Sequence, residues 1–363
     1  MNRTISVIVI DDSAFMRKSL SMMLEADPQI KVVATARDGR EGIEKIRALR
    51  PDLVTLDIEM PGMDGLTALR IIMKEMPLPV LMVSSLTNDG AQATLDALDL
   101  GAVDFIPKEL SYVSLNIVKI KEELIAKVKH IALSRSLSYR LQRIRAAAGA
   151  DAAAPAVRPA RVKSAPPPRT SRTDLQALVI GVSTGGPYAL MRMLPQLPAS
   201  FPLGIAIVQH MPPKFTQSMA ERLNGMSHLQ VKEAENGEPL GPGKVLIAPG
   251  GQHLVFAANG HGVIVHCTTE PSTTLYRPSA DVMMLSAAAT FRGPLLGLIM
   301  TGMGKDGLEG LRLIKRQGGV VIAQDEESCV VYGMPKAAVD DGLADYVVPL
   351  DDIPGTLENI ARG

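Results

Sequence analysis

The feature that most limits the fold of this chain is a rhythm of short apolar runs, each followed by a segment long enough for a helix. In the first half the runs are ISVIVI, KVVATA, PDLVTLD, PVLMVSS and AVDFIP, with segments such as AFMRKSLSMMLEAD between them. In the second half QALVIGVS, LGIAIVQH, KVLIAPG, GVIVHC, PLLGLIMTG and GGVVIAQD punctuate Gly-rich and Pro-rich loops. Apolar runs that do not alternate with polar residues suit strands buried on both faces, and helices between such strands make the sheet parallel. The expected class is α/β, with two doubly wound, largely parallel-sheet domains and an antiparallel hairpin around residues 252–267. At 363 residues the chain exceeds one ordinary core.

The halves are separated by residues 133–172, rich in Ala, Pro, Arg and Ser and short of large apolar residues. This reads as a linker. Ile117, Ile120, Leu124, Val128 and Ile131 recur at helical spacing and carry a helix to its start, and Pro166 to Pro168 exclude helix at its end. The expected division is 1–130, a linker at 131–173, and 174–363. The linker is basic, with Asp151 as its one acid, which suits a solvated spacer or a contact with an acidic partner.

Composition narrows the class further. With 46% hydrophobic residues, 21% charged residues and no formal net charge, the chain reads as globular, with no basic excess to seek nucleic acid. No apolar stretch reaches the roughly 18 residues that span a bilayer, and the N-terminus lacks a small-residue cleavage site. A cytoplasmic protein without membrane insertion is expected. Cys267 and Cys329 are too few for a disulfide framework and read as buried small hydrophobes.

In an open α/β sheet, ligand groups gather at the carboxyl ends of the strands. Asp11 and Asp12 follow VIVI and Asp57 ends LVTLD, so three carboxylates converge on one edge. Such a cluster suits a hard cation held by oxygens, and Mg²⁺ fits. Ser84 and Lys108 end the next two strands, where a hydroxyl and an ammonium would neutralise an added phosphoryl group. Singly, each residue has a simpler reading: Asp12 or Ser13 as a helix cap, and an acid after a strand as a turn residue.

VIVIDDSAFMR, LVTLDIEMPGMDGL, PVLMVSS and GAVDFIPK resemble the signature blocks of two-component receiver domains over residues 5 to about 128. The resemblance implies a flavodoxin-like fold. It makes Asp57 the phosphoacceptor, Asp11 and Asp12 the acids on the Mg²⁺ side, Ser84 and Lys108 the phosphate contacts, and Phe105 the aromatic position that shifts on activation. The sequence departs from the family at one point: receivers carry Pro after the Lys, whereas here Pro107 precedes Lys108 and Glu109 follows it.

In the second half GVSTG, around Ser183, has the G-x-S-x-G spacing that exposes a serine on a tight strand-to-helix turn. The same residues suit a backbone nest that binds phosphate or merely packs. Catalysis needs a base within reach and an acid to orient it. Of six histidines, His130, His228 and His261 lie in segments with no need to face Ser183, His266 and Cys267 point to opposite faces of one strand, and His253 remains a candidate. His210 fits best, because it ends the next strand. Asp306 in TGMGKDG stands where a helix begins, as a plain N-cap or as the orienting acid. The Gly-rich loop before it offers N–H groups to an oxyanion, that of Met303 among them.

IGVSTGGP, VQHMPPKFT, APGGQH, RPSADVM, TGMGKDG and SCVVYGMP resemble, in order, the blocks of the CheB family of protein-glutamate methylesterases, over about 175–360. The resemblance implies a Rossmann-like catalytic domain with Ser183 as nucleophile, His210 as base, Asp306 as orienting acid, Thr184 close to the base and Met303 near the oxyanion. It implies hydrolysis of glutamate γ-methyl esters on chemoreceptors, with deamidation of receptor glutamines as a related activity and no cofactor in the catalytic domain. A CheA-type histidine kinase would be the phosphodonor. Phosphorylation of Asp57 is expected to relieve an occlusion of Ser183 by the receiver. The competing expectations are a phosphorylation-dependent binding module without esterase activity and a nucleotide-binding regulator. The second lacks the Lys of G-x-x-x-x-G-K-[ST] and the spacing of G-x-G-x-x-G.

Overall fold

The computed structural model describes residues 3–108, 116–134, 174–260 and 262–362, the side chains of 116–119 excepted. The chain divides into two compact units, Met1–Pro155 and Ala156–Gly363. The linker expected at 131–173 lies almost wholly outside the described residues, as do Glu109 and His261.

The first unit is a five-stranded parallel sheet in the order β2-β1-β3-β4-β5. The strands are β1 Ile5–Ile10, β2 Ile30–Ala36, β3 Leu53–Asp57, β4 Val80–Ser84 and β5 Asp104–Pro107. Helices α1 Ala14–Leu24, α2 Gly39–Leu49, α3 Gly65–Glu75, α4 Asn88–Asp99 and α5 Asn116–Leu133 alternate with them. The order reverses between β1 and β3, and a crevice for ligands opens at such a switch point. The periodicity noted along the last helix is real: Leu124, Val128 and Ile131 are buried. Ser13 caps α1 through its hydroxyl, which accepts from Met16 N–H at 3.3 Å, while Asp12 stays exposed.

The second unit has seven parallel strands in the order β14-β13-β12-β6-β7-β9-β8 and a separate antiparallel hairpin, β10-β11. Its strands are β6 Ala177–Val182, β7 Gly204–Gln209, β8 Gln230–Glu233, β9 Lys244–Ile247, β10 His253–Ala258, β11 Val263–Thr268, β12 Leu296–Ile299, β13 Val320–Gln324 and β14 Tyr346–Val348. The hairpin falls where the sequence put it. Two strands had no counterpart among the expected runs: QVKE and YVV, which form the two edges of the sheet. β6 pairs with β7 on one side and with β12 on the other, both parallel. The carboxyl ends of three adjacent strands therefore present Ser183, His210 and the loop 300–306 to one crevice. One expectation fails in part: Cys329 is buried, but Cys267 is only half-buried, because it lies on the two-stranded hairpin and no layer covers both of its faces.

Candidate functional sites

At the switch point of the first unit, Lys108 Nζ lies 2.6 Å from Asp57 Oδ2 and 3.5 Å from Asp11 Oδ2. Both carboxyl groups are essentially fully buried. The remaining oxygens are held from the backbone, Asp11 Oδ1 by Ser13 N–H at 2.9 Å and Asp57 Oδ1 by Glu59 N–H at 3.2 Å. Burial pushes the Asp57 carboxyl up to about 6, with the Asp11 charge adding to the rise and the Lys108 contact working against it. Asp11 is raised by the same burial. For Lys108 burial acts downward, but the contact with Asp57 and the charges of Asp57, Asp11 and Asp12 hold the ammonium above its ordinary value.

Asp11, Asp12 and Asp57 each bring a carboxylate oxygen within 4.8 Å of the others. Hard oxygen donors with a surplus of negative charge are the chemistry that suits Mg²⁺. The buried Oδ2 atoms of Asp11 and Asp57 accept no conventional hydrogen bond among the described residues and face only the Lys108 ammonium, so the residues fit the ion.

Ser84 is not turned to this pocket. Its hydroxyl donates to Gly90 O at 3.1 Å and accepts from Thr94 Oγ1 at 2.7 Å, both on α4. Phe105 is buried, with Lys127 Nζ donating to its carbonyl at 2.9 Å.

In the second unit the apolar β6 ends at Val182, and the chain turns at once through Ser183. Its backbone is gripped on three sides: Ser183 N–H donates to Thr301 O at 3.0 Å, and its carbonyl accepts from Gly186 N–H at 2.8 Å and from Gln209 Nε2 at 3.0 Å. Gln209 also donates to His210 O at 3.2 Å. Gly185, at φ 76°, then lets the helix Gly186–Met193 begin. The last residue of β7 thus ties the turn after β6 to the turn after β7.

His210 Nε2 meets Asp306 Oδ2 at 2.8 Å. Asp306 accepts three further bonds, from Ser279 Oγ at 2.8 Å, Ala280 N–H at 2.6 Å and Asp281 N–H at 3.1 Å. Its own helix starts at Leu308 with Gly307 as cap, so Asp306 is no N-cap there. It caps the neighbouring helix Ala280–Thr290. Asp281 returns the favour, accepting from Gly310 N–H at 2.9 Å in the helix Leu308–Arg316. Burial opposes ionisation of Asp306, but the bonds from His210, Ala280 and Ser279 outweigh it and hold the carboxyl below its ordinary value.

An acid so held is an acceptor only, which puts a proton on His210 Nε2 and leaves Nδ1 with its lone pair. Among the described residues, the buried Nδ1 has no hydrogen-bond partner, and neither has Thr184 Oγ1. The Thr184 hydroxyl and the half-buried Ser183 share the turn after β6, and His210 N–H donates to the carbonyl of Val182, the residue before that turn, at 3.2 Å. Gly302 belongs to the same crevice: a Cβ there would stand 2.8 Å from Ser183 Cβ. Met303 follows, half-buried, and the backbone N–H hydrogen bonds of this turn involve Gly302 rather than Met303.

The remaining histidines separate cleanly. His253 Nδ1 accepts from Ser279 N–H at 3.1 Å, so its lone pair is committed. Its Nε2 faces Pro271 O at 3.3 Å and Thr274 Oγ1 at 3.1 Å. It supports Ser279, which in turn supports Asp306. Burial, with the Arg277 charge, keeps it below its ordinary value against the pull of Pro271 O and of Asp306. His130 and His228 are exposed. Sequence reasoning missed Gln209, Ser279 and Tyr276. Tyr276 stacks on the His210 ring, with centroids 4.2 Å apart and planes at 13°. Ser279 lies in a quoted block, and Tyr276 immediately precedes it.

One switch point holds an acid cluster with a lysine, and a second holds a serine on the strand end next to that of a His–Asp pair, the arrangement of a response regulator receiver joined to an α/β enzyme unit. Residues 7–117 match the family described as response regulator receiver domain and residues 178–357 that described as CheB methylesterase. The protein-glutamate methylesterase/protein-glutamine glutaminase 1 of Oleidesulfovibrio alaskensis is 53% identical over 376 residues, covering 98% of this chain and 99% of that one. The corresponding protein 2 of Nitratidesulfovibrio vulgaris is 55% identical over 381 residues, with 98% and 99% covered. That of Lawsonia intracellularis is 51% identical over 350 residues, with 96% of each covered. The chain belongs to the CheB methylesterase family.

Proposed function

We propose that this protein hydrolyses glutamate γ-methyl esters on chemoreceptors by a serine acyl-enzyme route, under the control of phosphorylation at Asp57. The observation that carries the reading is the His210 imidazole, on the strand end next to that of Ser183, with Nε2 bonded to Asp306 and a buried Nδ1 that has no partner among the described residues.

Nδ1 of His210 takes the proton of Ser183 as Oγ bonds to the ester carbonyl carbon. Asp306 stabilises the imidazolium so formed. The carbonyl oxygen becomes an oxyanion, for which the Met303 N–H and the Thr184 hydroxyl are the donors. When the intermediate collapses, the C–O bond to methoxide breaks, and His210 returns its proton so that methanol leaves. Water, deprotonated by the same Nδ1, then attacks the acyl-enzyme, releasing the glutamate carboxylate and restoring Ser183. The same steps on a glutamine amide release ammonia, which fits the paired activity in the names of the relatives. No step calls for a cofactor in this unit.

In the receiver, Asp57 Oδ takes the phosphoryl group from a CheA-type histidine kinase. Mg²⁺, held by Asp11, Asp12 and Asp57, would neutralise phosphoryl oxygens. Lys108 already lies against Asp57 and pairs with the added group, while Ser84 exchanges its α4 partners for a phosphoryl oxygen. Among the described residues no helix is long and apolar enough to cross a membrane, and the reading places the enzyme in the cytoplasm.

The test is methanol release from methylated receptor, with and without a small phosphodonor. Ser183→Ala is expected to abolish release with the fold intact. Substantial residual release would reject Ser183 as nucleophile.

A further inference from the structure

We infer that Tyr276 is a positioning residue for the base: its ring fixes the plane of the His210 imidazole and favours the cation that forms on it during turnover. The inference rests on the catalytic reading given above. Two of the three ways in which the imidazole of His210 could shift are blocked by hydrogen bonds. Its backbone is tied down by His210 N–H to Val182 O at 3.2 Å and by Gln209 Nε2 to His210 O at 3.2 Å. One ring edge is bonded to Asp306 at 2.8 Å. Rotation about that edge bond is what remains, and Tyr276, stacked at 4.2 Å and 13°, closes one face against it. With that face covered, the plane of the ring is held, and with it the direction of Nδ1.

The stack also acts on charge. An aromatic face carries negative potential, and a cation within about 6 Å of its centroid gains from it. In the proposed route the positive charge on His210 develops as the ring takes the serine proton. The gain therefore falls in the transition state and raises kcat rather than ground-state binding. The charged group bonded to His210 is Asp306, and Asp281 stands behind Asp306. Both remain when Tyr276 is changed, so the effect of the ring separates from theirs. The role assigned to Tyr276 acts through the His210 ring, and its place in the sequence gives it no motif of its own.

The experiment compares wild type, Tyr276→Phe, Tyr276→Leu and His210→Ala as full-length proteins, with kcat and KM for methanol release measured across pH on methylated receptor. Tyr276→Phe, which keeps the aromatic face, is expected to retain activity within about threefold. Tyr276→Leu is expected to lower kcat about tenfold with KM little changed, and to move the acid limb of kcat/KM to lower pH, since a cation–π contact of 0.5–2 kcal/mol corresponds to about 2- to 30-fold. An unmoved acid limb and unchanged kcat in Tyr276→Leu overturn the proposal, as does a Tyr276→Phe protein as slow as Tyr276→Leu. If Tyr276→Leu loses its folded thermal transition, Tyr276→Trp takes its place: retained activity and an unshifted limb are expected, and a loss of kcat as large as that expected of leucine overturns the idea. Activity retained in His210→Ala rejects the catalytic reading itself, whereas an inactive His210→Ala beside an unaffected Tyr276→Leu rejects only the role of the ring.

Discussion

Asp306 takes four hydrogen bonds on two oxygens, from His210, Ser279, Ala280 and Asp281. Asp306→Asn would turn an NH₂ group toward at least one of these donors and free the imidazole to adopt the wrong tautomer. A fall in kcat of about 10²–10⁴ is expected with only a modest change in KM, as for the buried acid of other serine triads; a loss under threefold would mean that the acid merely caps a helix. The pH consequence follows from the direction of its shift. The folded Asp306 carboxyl titrates below its ordinary value of 3.8, so its contribution to stability is complete above that value and is lost as pH falls through the lower, folded one. Asp306 should accordingly stay ionised through the mildly acidic range. At this scale Ser183 and His210 were legible in the sequence because each directly follows an apolar strand. Tyr276 and Ser279 were not, because their partners are remote along the chain and no local pattern encodes a ring face or a cap supplied from another helix.

Strand ends and helix starts carry the next layer of constraint. A Cβ on Gly186 would stand 2.0 Å from Gln209 Oε1, and Gln209 is buried with its amide bonded to the carbonyls of both Ser183 and His210. Gly186→Ala therefore has to displace the side chain that spaces nucleophile and base. A loss of about 1–3 kcal/mol in stability is expected, as for overpacking in general, with a larger proportional loss of kcat than of KM; unaltered kinetics would show that Gln209 is free to move. In the other unit, the end of β3 carries a carboxyl raised to about 6, so the sign is opposite to that of Asp306. Between about pH 6 and 3.8 the folded receiver binds a proton that the unfolded chain does not, and stability rises as pH falls. In Mg²⁺-free buffer the receiver transition is expected to move upward on acidification from pH 7 to 5 in wild type and less so in Asp57→Asn, where the raised Asp11 carboxyl remains. Thermal scans of both at several pH values check this. The elements themselves were legible wherever the strand was a continuous apolar run. QVKE and YVV were missed because they are short sheet edges, the first built from polar residues, and an edge strand is specified by its neighbour rather than by its own pattern.

For the whole molecule, the two units are joined in one chain, and the proposed control of the hydrolase by the receiver belongs to the pair. A small phosphodonor with Mg²⁺ is expected to raise methanol release by wild type and to leave Asp57→Asn unchanged. An equal rise in both proteins would place control elsewhere than Asp57. Mg²⁺ alone should raise the receiver transition of wild type, by about 2.7 kcal/mol at a hundred times its dissociation constant, and raise that of Asp57→Asn less. The sequence by itself determined two α/β halves, their parallel sheets, and the polar residues that close each strand, because buried strands and crossover helices leave a periodic apolar trace that is local along the chain. Only the tertiary structure decided that β12 lies beside β6, so that Asp306 reaches His210, that Nε2 rather than Nδ1 meets the acid, and that Ser84 faces α4. These depend on strand order and on contacts between residues far apart in the chain, and that pairing is settled by packing the whole core rather than by any single segment.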